Sequence, residues 1–302
     1  DALDITLGLR HTSEEKSLSS AYSNPNGSLA CASALGNPTQ VVMALIGRGL
    51  TAAQATAAAP QVVGRICLPW ANALHNGRST QQKMEEKEWS GTIKAAYRWN
   101  DNWMTYASAA RGYKGGGFNL DRVQTSNGLT SGGAGISPVN DTSFPGEFVD
   151  SYELGAKTTW MDGNLLLNAT FFHQTYDNFQ LNSFLGTSFV VRSIPEVVSK
   201  GLDTEILWQA SKGLLLQAGL VYAETTYGDN IPGCDFVGPG ATTTLCPAVG
   251  ALYKLPGSQI SFAPEWSGTA AATYEWDMGS NLMGRVNVGA KYMSEFNTGS
   301  DL

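Results

Sequence analysis

Alternation of apolar and polar residues with period two, held for longer than ordinary strands hold it, constrains this chain more than any other feature. The clearest run is 259–276. Its even positions read Ile260, Phe262, Pro264, Trp266, Gly268, Ala270, Ala272, Tyr274 and Trp276, against Gln259, Ser261, Glu265, Ser267, Thr269, Thr273 and Glu275. One face is apolar or small and the other polar, as in a strand with two different surroundings. Leu282, Val286, Val288, Ala290 and Tyr292 repeat this against Arg285, Asn287 and Lys291. So do Leu214, Leu216, Ala218, Leu220 and Tyr222 against Gln217 and Gly219. Ile93, Ala95, Tyr97 and Trp99 oppose Thr92, Lys94 and Arg98, and Tyr152, Leu154, Ala156 and Trp160 oppose Glu153, Lys157 and Thr159. The pattern predicts nine strands, over 1–14, 85–99, 103–114, 148–160, 164–178, 196–209, 213–227, 259–276 and 281–296. Globular strands average about 5–6 residues, whereas a tilted strand needs about 9–11 to cross a bilayer. Length therefore points to a membrane barrel.

The connections alternate as well. Those at 100–102, 161–164, 210–213 and 277–281 are tight and rich in Asn, Asp and Gly, which tolerate the positive φ of hairpin turns. Those at 18–84, 115–147, 179–195 and 228–258 are long. Short turns on one side and long loops on the other is an outer-membrane pattern. Trp99, Trp103, Trp160, Trp208 and Trp276, five of the 8 tryptophans, lie beside tight turns. Indole rings favour the membrane–water interface, so these residues predict an aromatic girdle on the short-turn side. Within the first long loop, Thr39–Ile46 and Thr51–Ala59 look helical, with Pro60 ending the second. We expect them to fold the loop into a small cap.

Composition excludes several classes. The formal charge is −7, so no basic stripe for nucleic acid is expected. The longest apolar run, Val41–Ile46, is far short of a spanning helix of about 20 residues. Only three His occur, at 11, 75 and 173. There is no G-x-S-x-G elbow and no phosphate-binding loop. Asp203 and Glu205 share a strand face, where polar lining of a wet interior explains them better than acid–base work. No enzyme and no cofactor are expected. The four cysteines, Cys31, Cys67, Cys234 and Cys246, all fall in predicted long loops. Three pairings are possible; the simplest stays within loops, as Cys31–Cys67 and Cys234–Cys246, and implies an oxidising compartment. Spacing does not suit a metal site. Asp1 begins inside a strand-like run and 296–302 ends in turn-like residues, so we expect an internal portion of a longer protein.

Tyr106–Asn119, reading Tyr-Ala-Ser-Ala-Ala-Arg-Gly-Tyr-Lys-Gly-Gly-Gly-Phe-Asn, resembles a strand-to-loop stretch of the TonB-dependent outer-membrane receptors. Ser151–Lys157, Phe171–Gln180, Lys200–Glu205 and Pro264–Thr269 agree with that family in order and spacing. The resemblance implies part of an all-β, antiparallel transmembrane barrel over 1–302, with 18–84 as a long extracellular loop carrying short helices. It implies a Gram-negative outer-membrane location and an active transporter for a large scarce nutrient, most often a ferric siderophore. Its partners would be outer-membrane lipid, the ligand, and the TonB complex through an N-terminal part not seen here.

Under that reading, Arg111, Tyr113, Lys114, Phe118 and Asn119 are candidate ligand contacts at the top of a strand, with Phe144 and Phe184 in neighbouring loops. Arg111 and Lys114 would attract an anionic ligand, although anchoring of the loop or membrane surface explains them as well. A plug-less porin-like channel, a barrel enzyme with a wall-mounted Ser/His pair, and a soluble β-sandwich binding module are the alternatives. As an isolated sheet the chain should be open and curved, with its first and last strands at the edges.

Overall fold

The computed structural model describes residues 2–21, 29–66, 79–119, 124–125, 128–129, 141–184, 189–228, 257 and 259–298. Its strands are β1 (Leu3–Ala21), β2 (Ser79–Asn100), β3 (Trp103–Lys114), β4 (Gly117–Phe118), β5 (Gln124–Thr125), β6 (Gly128–Leu129), β7 (Ser143–Phe144), β8 (Glu147–Trp160), β9 (Leu165–Phe184), β10 (Phe189–Ser211), β11 (Leu214–Tyr227), β12 (Trp266–Gly279) and β13 (Leu282–Met293). Nine of them form one sheet, ordered β1-β2-β3-β8-β9-β10-β11-β12-β13, with every neighbouring pair antiparallel. β1 and β13 are its edges, so the sheet is open. Two small ribbons, β4–β7 and β5–β6, lie in the connection between β3 and β8.

The register places the alternating residues on two continuous faces. Leu7 opposes Ile93, Ala107 opposes Leu154, Leu154 opposes Phe171, and Phe171 opposes Leu202. Ala218 opposes Ala270, which opposes Ala290. Leu7 is 73% exposed and Val288 66%, values that make sense against lipid and would promote aggregation in water. At the short turns this outer face carries Trp99, Trp103, Trp160, Trp208 and Trp276, with Trp103 and Trp160 edge-to-face at 5.2 Å. A second belt closes the other side: Trp89, Tyr152, Tyr222, Trp266 and Tyr292. Tyr222 and Trp266 are cross-strand partners with ring centroids 4.7 Å apart. Trp89 and Trp99, like Trp266 and Trp276, are ten residues apart. At about 3.3 Å per residue and a tilt near 40° this spans roughly 25 Å, the height of a barrel's apolar band.

Four turns sit where Asn, Asp and Gly predicted them. Met161, Asp162 and Gly163 take φ of 55, 55 and 92°, and Gly279, Ser280 and Asn281 take 80, 56 and 63°. The opposite ends of the strands depart from expectation. β1 runs to Ala21, not 14, and β2 begins at Ser79, not 85. The expected long loop 179–195 is mostly strand, because β9 continues to Phe184 and β10 starts at Phe189. The β1 and β2 extensions are largely polar on both faces, so no apolar stripe marks them, whereas the β9–β10 extension packs Phe179 and Leu181 against Ile194. Conversely, 259–265 is not part of β12. Phe262 adopts φ 62°, and Pro264 has no N–H for the ladder, so the strand starts only at Trp266.

The first excursion holds α1 (Leu29–Gly36), α2 (Pro38–Ile46) and α3 (Ala52–Ile66). α1 was not expected, and Pro60 lies inside α3 rather than ending it. Pro60 is exposed, while Ala55, Ala59 and Val63 continue a buried stripe past it. That packing offsets the lost backbone bond. Cys31 is disulfide-bonded and fully buried beside Ala34 and Val63. Cys67, Cys234 and Cys246 lie outside the described residues. No single helix among the described residues is long and apolar enough to cross a membrane.

Candidate functional site

Even-numbered residues of β1 and β2 face the inner side, and their surroundings change along the strand. Low in the sheet Thr6 and Arg10 are exposed. Higher up, Glu14, Lys16, Gln82, Met84 and Glu86 are half-buried, because the stem of the β3–β8 connection lies against them. The Glu86 carboxylate accepts hydrogen bonds from Gly116 N (2.8 Å) and Gly146 N (2.9 Å), one from each arm of the connection. Lys16 Nζ donates to Gly116 O at 2.6 Å. Gln82 and Thr142 exchange bonds, Thr142 N to Oε1 at 2.8 Å and Nε2 to Thr142 Oγ1 at 3.0 Å. On the far side Gln180 Nε2 donates to Gly115 O (3.0 Å) and Pro145 O (3.2 Å), and its backbone N donates to Glu147 (2.7 Å). The β4–β7 ribbon is therefore drawn to the inner side of the wall.

Glycine is required where this stem touches the wall. A Cβ on Gly116 would collide with the Phe144 carbonyl, and one on Gly146 would lie 2.7 Å from the Tyr113 ring and 2.9 Å from Glu86 Oε1. The run Gly115–Gly117, which reads as a bend leaving a strand, is a close-approach site for two chain segments.

The sequence-nominated residues divide. Arg111 points to the outer face, with Leu9, Trp89 and Tyr152, where Nη1 donates to both carboxylate oxygens of Asp150 at 2.9 and 2.7 Å. Its guanidinium carbon lies 4.8 Å from the Phe148 ring centre. Tyr113 packs against Phe148 at 5.3 Å with its hydroxyl buried. Lys114 is exposed and pairs loosely with Glu147 at 3.5 Å. Phe118 sits in β4 opposite Ser143, and Phe144 in β7 packs its ring over Gly117. Asn119 is buried; its Nδ2 donates to Val191 O (3.0 Å) and its Oδ1 accepts from Val191 N (2.8 Å). Its carboxamide is thus engaged in tying the stem to β10. Phe184 closes β9. Asp141, at the start of the returning arm, accepts from Ser143 N (2.9 Å) and Ser143 Oγ (2.6 Å). These bonds hold its carboxyl below the usual carboxylate range.

Below the mouth, the inner face is polar and mixed in sign. Lys94 Nζ sits 4.3 Å from the Tyr106 ring centre, and Tyr106 shares a 2.9 Å bond with Thr170. Asp4 pairs with Arg98, and Asn168 donates to Glu205 at 3.1 Å. His173 lies on the outer face between Tyr152 and Lys200. Sequence reasoning missed Lys16, Gln82 and Glu86: Gln82 fell within the expected loop 18–84, Lys16 between that loop and the expected strand 1–14, and Glu86 at the start of the expected strand 85–99. Around them polar residues occupy both faces, so alternation gives no signal.

A sheet with a lipid-matched outer face, a polar inner face and a folded-in ribbon at its long-loop end is one side of a large barrel. The TonB dependent receptor-like β-barrel family matches residues 1–301. The chain belongs to the TonB-dependent receptors. The ferric yersiniabactin uptake receptor FyuA of Yersinia pestis superposes with a TM-score of 0.50 at 20% identity, over 72% of this chain and 28% of that one. The ferric-catecholate import receptor Fiu of E. coli K12 gives 0.47 at 18% identity, over 75% and 28%. The siderophore receptor PiuA of Acinetobacter baumannii gives 0.47 at 16%, over 72% and 27%. The chain thus spans less than a third of the length of these receptors.

Proposed function

We propose that this chain supplies barrel wall and extracellular mouth to an outer-membrane active transporter for a large scarce nutrient. A ferric siderophore or similar iron complex is the cargo and the TonB complex the energy source. The observation that carries this reading is the family match over 1–301, on a sheet whose outer face is a girdled apolar band. The mixed-sign inner face suits packing against a polar body better than selection of one ion sign. At the mouth, Lys114 and Phe118 remain the candidates for cargo contact, with Tyr113 supporting them. Arg111 would act outside the lumen, anchoring the wall at the interface.

The test uses cells in which the full-length parent is the sole receptor of this family, supplied with a panel of 55Fe-labelled ferric siderophores. Uptake that stops when the proton-motive force is collapsed supports energised import. Uptake that continues after collapse would show a diffusion channel instead.

A further inference from the structure

Glu14 and Glu86 are direct cross-strand partners on the inner face, and so are Glu15 and Glu85 on the outer face. Like charges directly opposed destabilise a sheet unless each finds its own partner. On the outer face lysines supply the partners: Lys83 lies 3.6 Å from Glu15, and Lys87 pairs with Glu85. On the inner face Lys16 takes Glu14 at 2.7 Å. Glu86 has no such lysine among the described residues, and its two oxygens instead receive Gly116 N and Gly146 N. Both amides belong to the stem of the β3–β8 connection, one to each arm, thirty and sixty residues from Glu86. Hydrogen bonds to an ionised acceptor are about twice as strong as neutral ones.

We propose that Glu86 is a positioning residue of the mouth. Its carboxylate clamps both arms of the connection and makes the β4–β7 ribbon a fixed part of the wall in the unliganded receptor. This deepens the transporter reading and rests on it for the meaning of the word mouth. Three further ties support the same placement: Gln82 with Thr142, Gln180 with Gly115 and Pro145, and Asn119 with Val191. Glycine at 146 lets backbone approach the carboxylate this closely, since a Cβ there would lie 2.9 Å from Glu86 Oε1, and glycine at 116 lets the two arms pass each other beside it. The ribbon thus presents Phe118, and the adjoining Lys114, from a stationary base.

The experiment is hydrogen–deuterium exchange with fragment-level resolution on the full-length parent in lipid nanodiscs, without ligand. In the wild type the Gly116 and Gly146 amides should be protected. Glu86→Ala should speed both by about tenfold or more, as expected for losing bonds to a charged acceptor. Glu86→Gln keeps one carbonyl oxygen, so one amide should stay protected and the other open. Loss of general stability would instead loosen both equally, together with Leu154 in β8, whose exchange should not change in either variant. Wild-type amides exchanging at the unstructured rate, or unchanged by Glu86→Ala, would overturn the proposal. Because no ligand is present, this outcome is independent of whether the parent takes up iron.

Discussion

The apolar band and the mouth are built from the same strands but held by different forces. In the band every strand but the edge strands β1 and β13 has a backbone ladder on both sides, and the side chains answer to lipid outside and polar groups inside. Ala218, Ala270 and Ala290 line up across three strands with no specific contact needed. In the mouth the ladder gives out between β2 and β3 beyond the Gly91–Arg111 pair, and single side chains take over. Glu86, Gln82, Gln180 and Asn119 each bind the backbone of a distant segment. Order in the band is spread over many equivalent bonds. Order in the mouth is concentrated in a few.

The three helices of the first excursion should show this concentration most strongly. Its core is small: Cys31, Ala34 and Val63, with Leu35, Val41 and Ile66 around them. Cys31→Ser removes the cross-link from that core. Closing a loop of the size that a Cys31–Cys67 pairing gives is worth about 4 kcal/mol on the chain-entropy model. The expected result is loss of the helical circular-dichroism component while the sheet signal and detergent resistance of the parent persist. Simultaneous loss of both would mean that the helices and the band fold as one unit.

Within the band, adjacent residues of one kind separate its two faces. Ala270 faces outward and Ala271 inward, midway between Trp266 and Trp276. Ala270→Arg should destabilise the parent in lipid vesicles by about 2–4 kcal/mol, as for a charge at the bilayer midplane. Ala271→Arg should cost much less in a urea titration. Equal costs would contradict the assignment of faces.

How much of this was readable from residues alone follows the same division. Where lipid and lumen impose opposite chemistry on alternate residues, as in 213–227, the pattern located strand, face and turn together. Above the upper girdle β1 and β2 are largely polar on both faces, so β1 beyond Glu14 and β2 before Glu85 carried no stripe; Glu86 went unseen because its partners, Gly116 N and Gly146 N, lie thirty and sixty residues away. Arg111 lies near the top of β3, on the outer face with Ala107 and Ala109, but the small residues of that strand give its alternation too little contrast to show the face. Pro60 misled because a local rule met a tertiary stripe. Ile260 extended an alternation that the Phe262 turn interrupts.

Smaller effects test packing inside the band. Trp276 lies over Gly284, its cross-strand partner, and a Cβ there would fall 2.7 Å from the indole Nε1. Gly284→Val should displace the ring and cost about 1–3 kcal/mol, as overpacking does. The displacement should appear as a changed tryptophan emission. Gly289→Ala is the contrast, since its Cβ would meet Ala270 O at 3.7 Å, an ordinary contact. It should alter stability by less than about 0.5 kcal/mol. If the two glycines respond alike, ring packing over Gly284 is not what that position requires.

The smallest effect belongs to the mouth and is set by acid. Ser143 N and Oγ both donate to Asp141, so the native carboxyl titrates below its unfolded value, near 3.9 for an ordinary Asp. The sign follows from linkage. A depressed native pKa stabilises the folded stem above the unfolded pKa, and that contribution is lost as pH falls through the native one. Between about pH 6 and pH 5 the stem should therefore not change on account of Asp141. Below about pH 4 the Ser143 amide should lose protection, after correction for its intrinsic rate, while amides of β12 in the band stay closed. Asp141→Asn, which cannot titrate, should remove the acid step and leave a single pH-independent loosening. Loosening that sets in well above pH 5, or that persists unchanged in Asp141→Asn, would show that Asp141 does not set the acid response of the mouth.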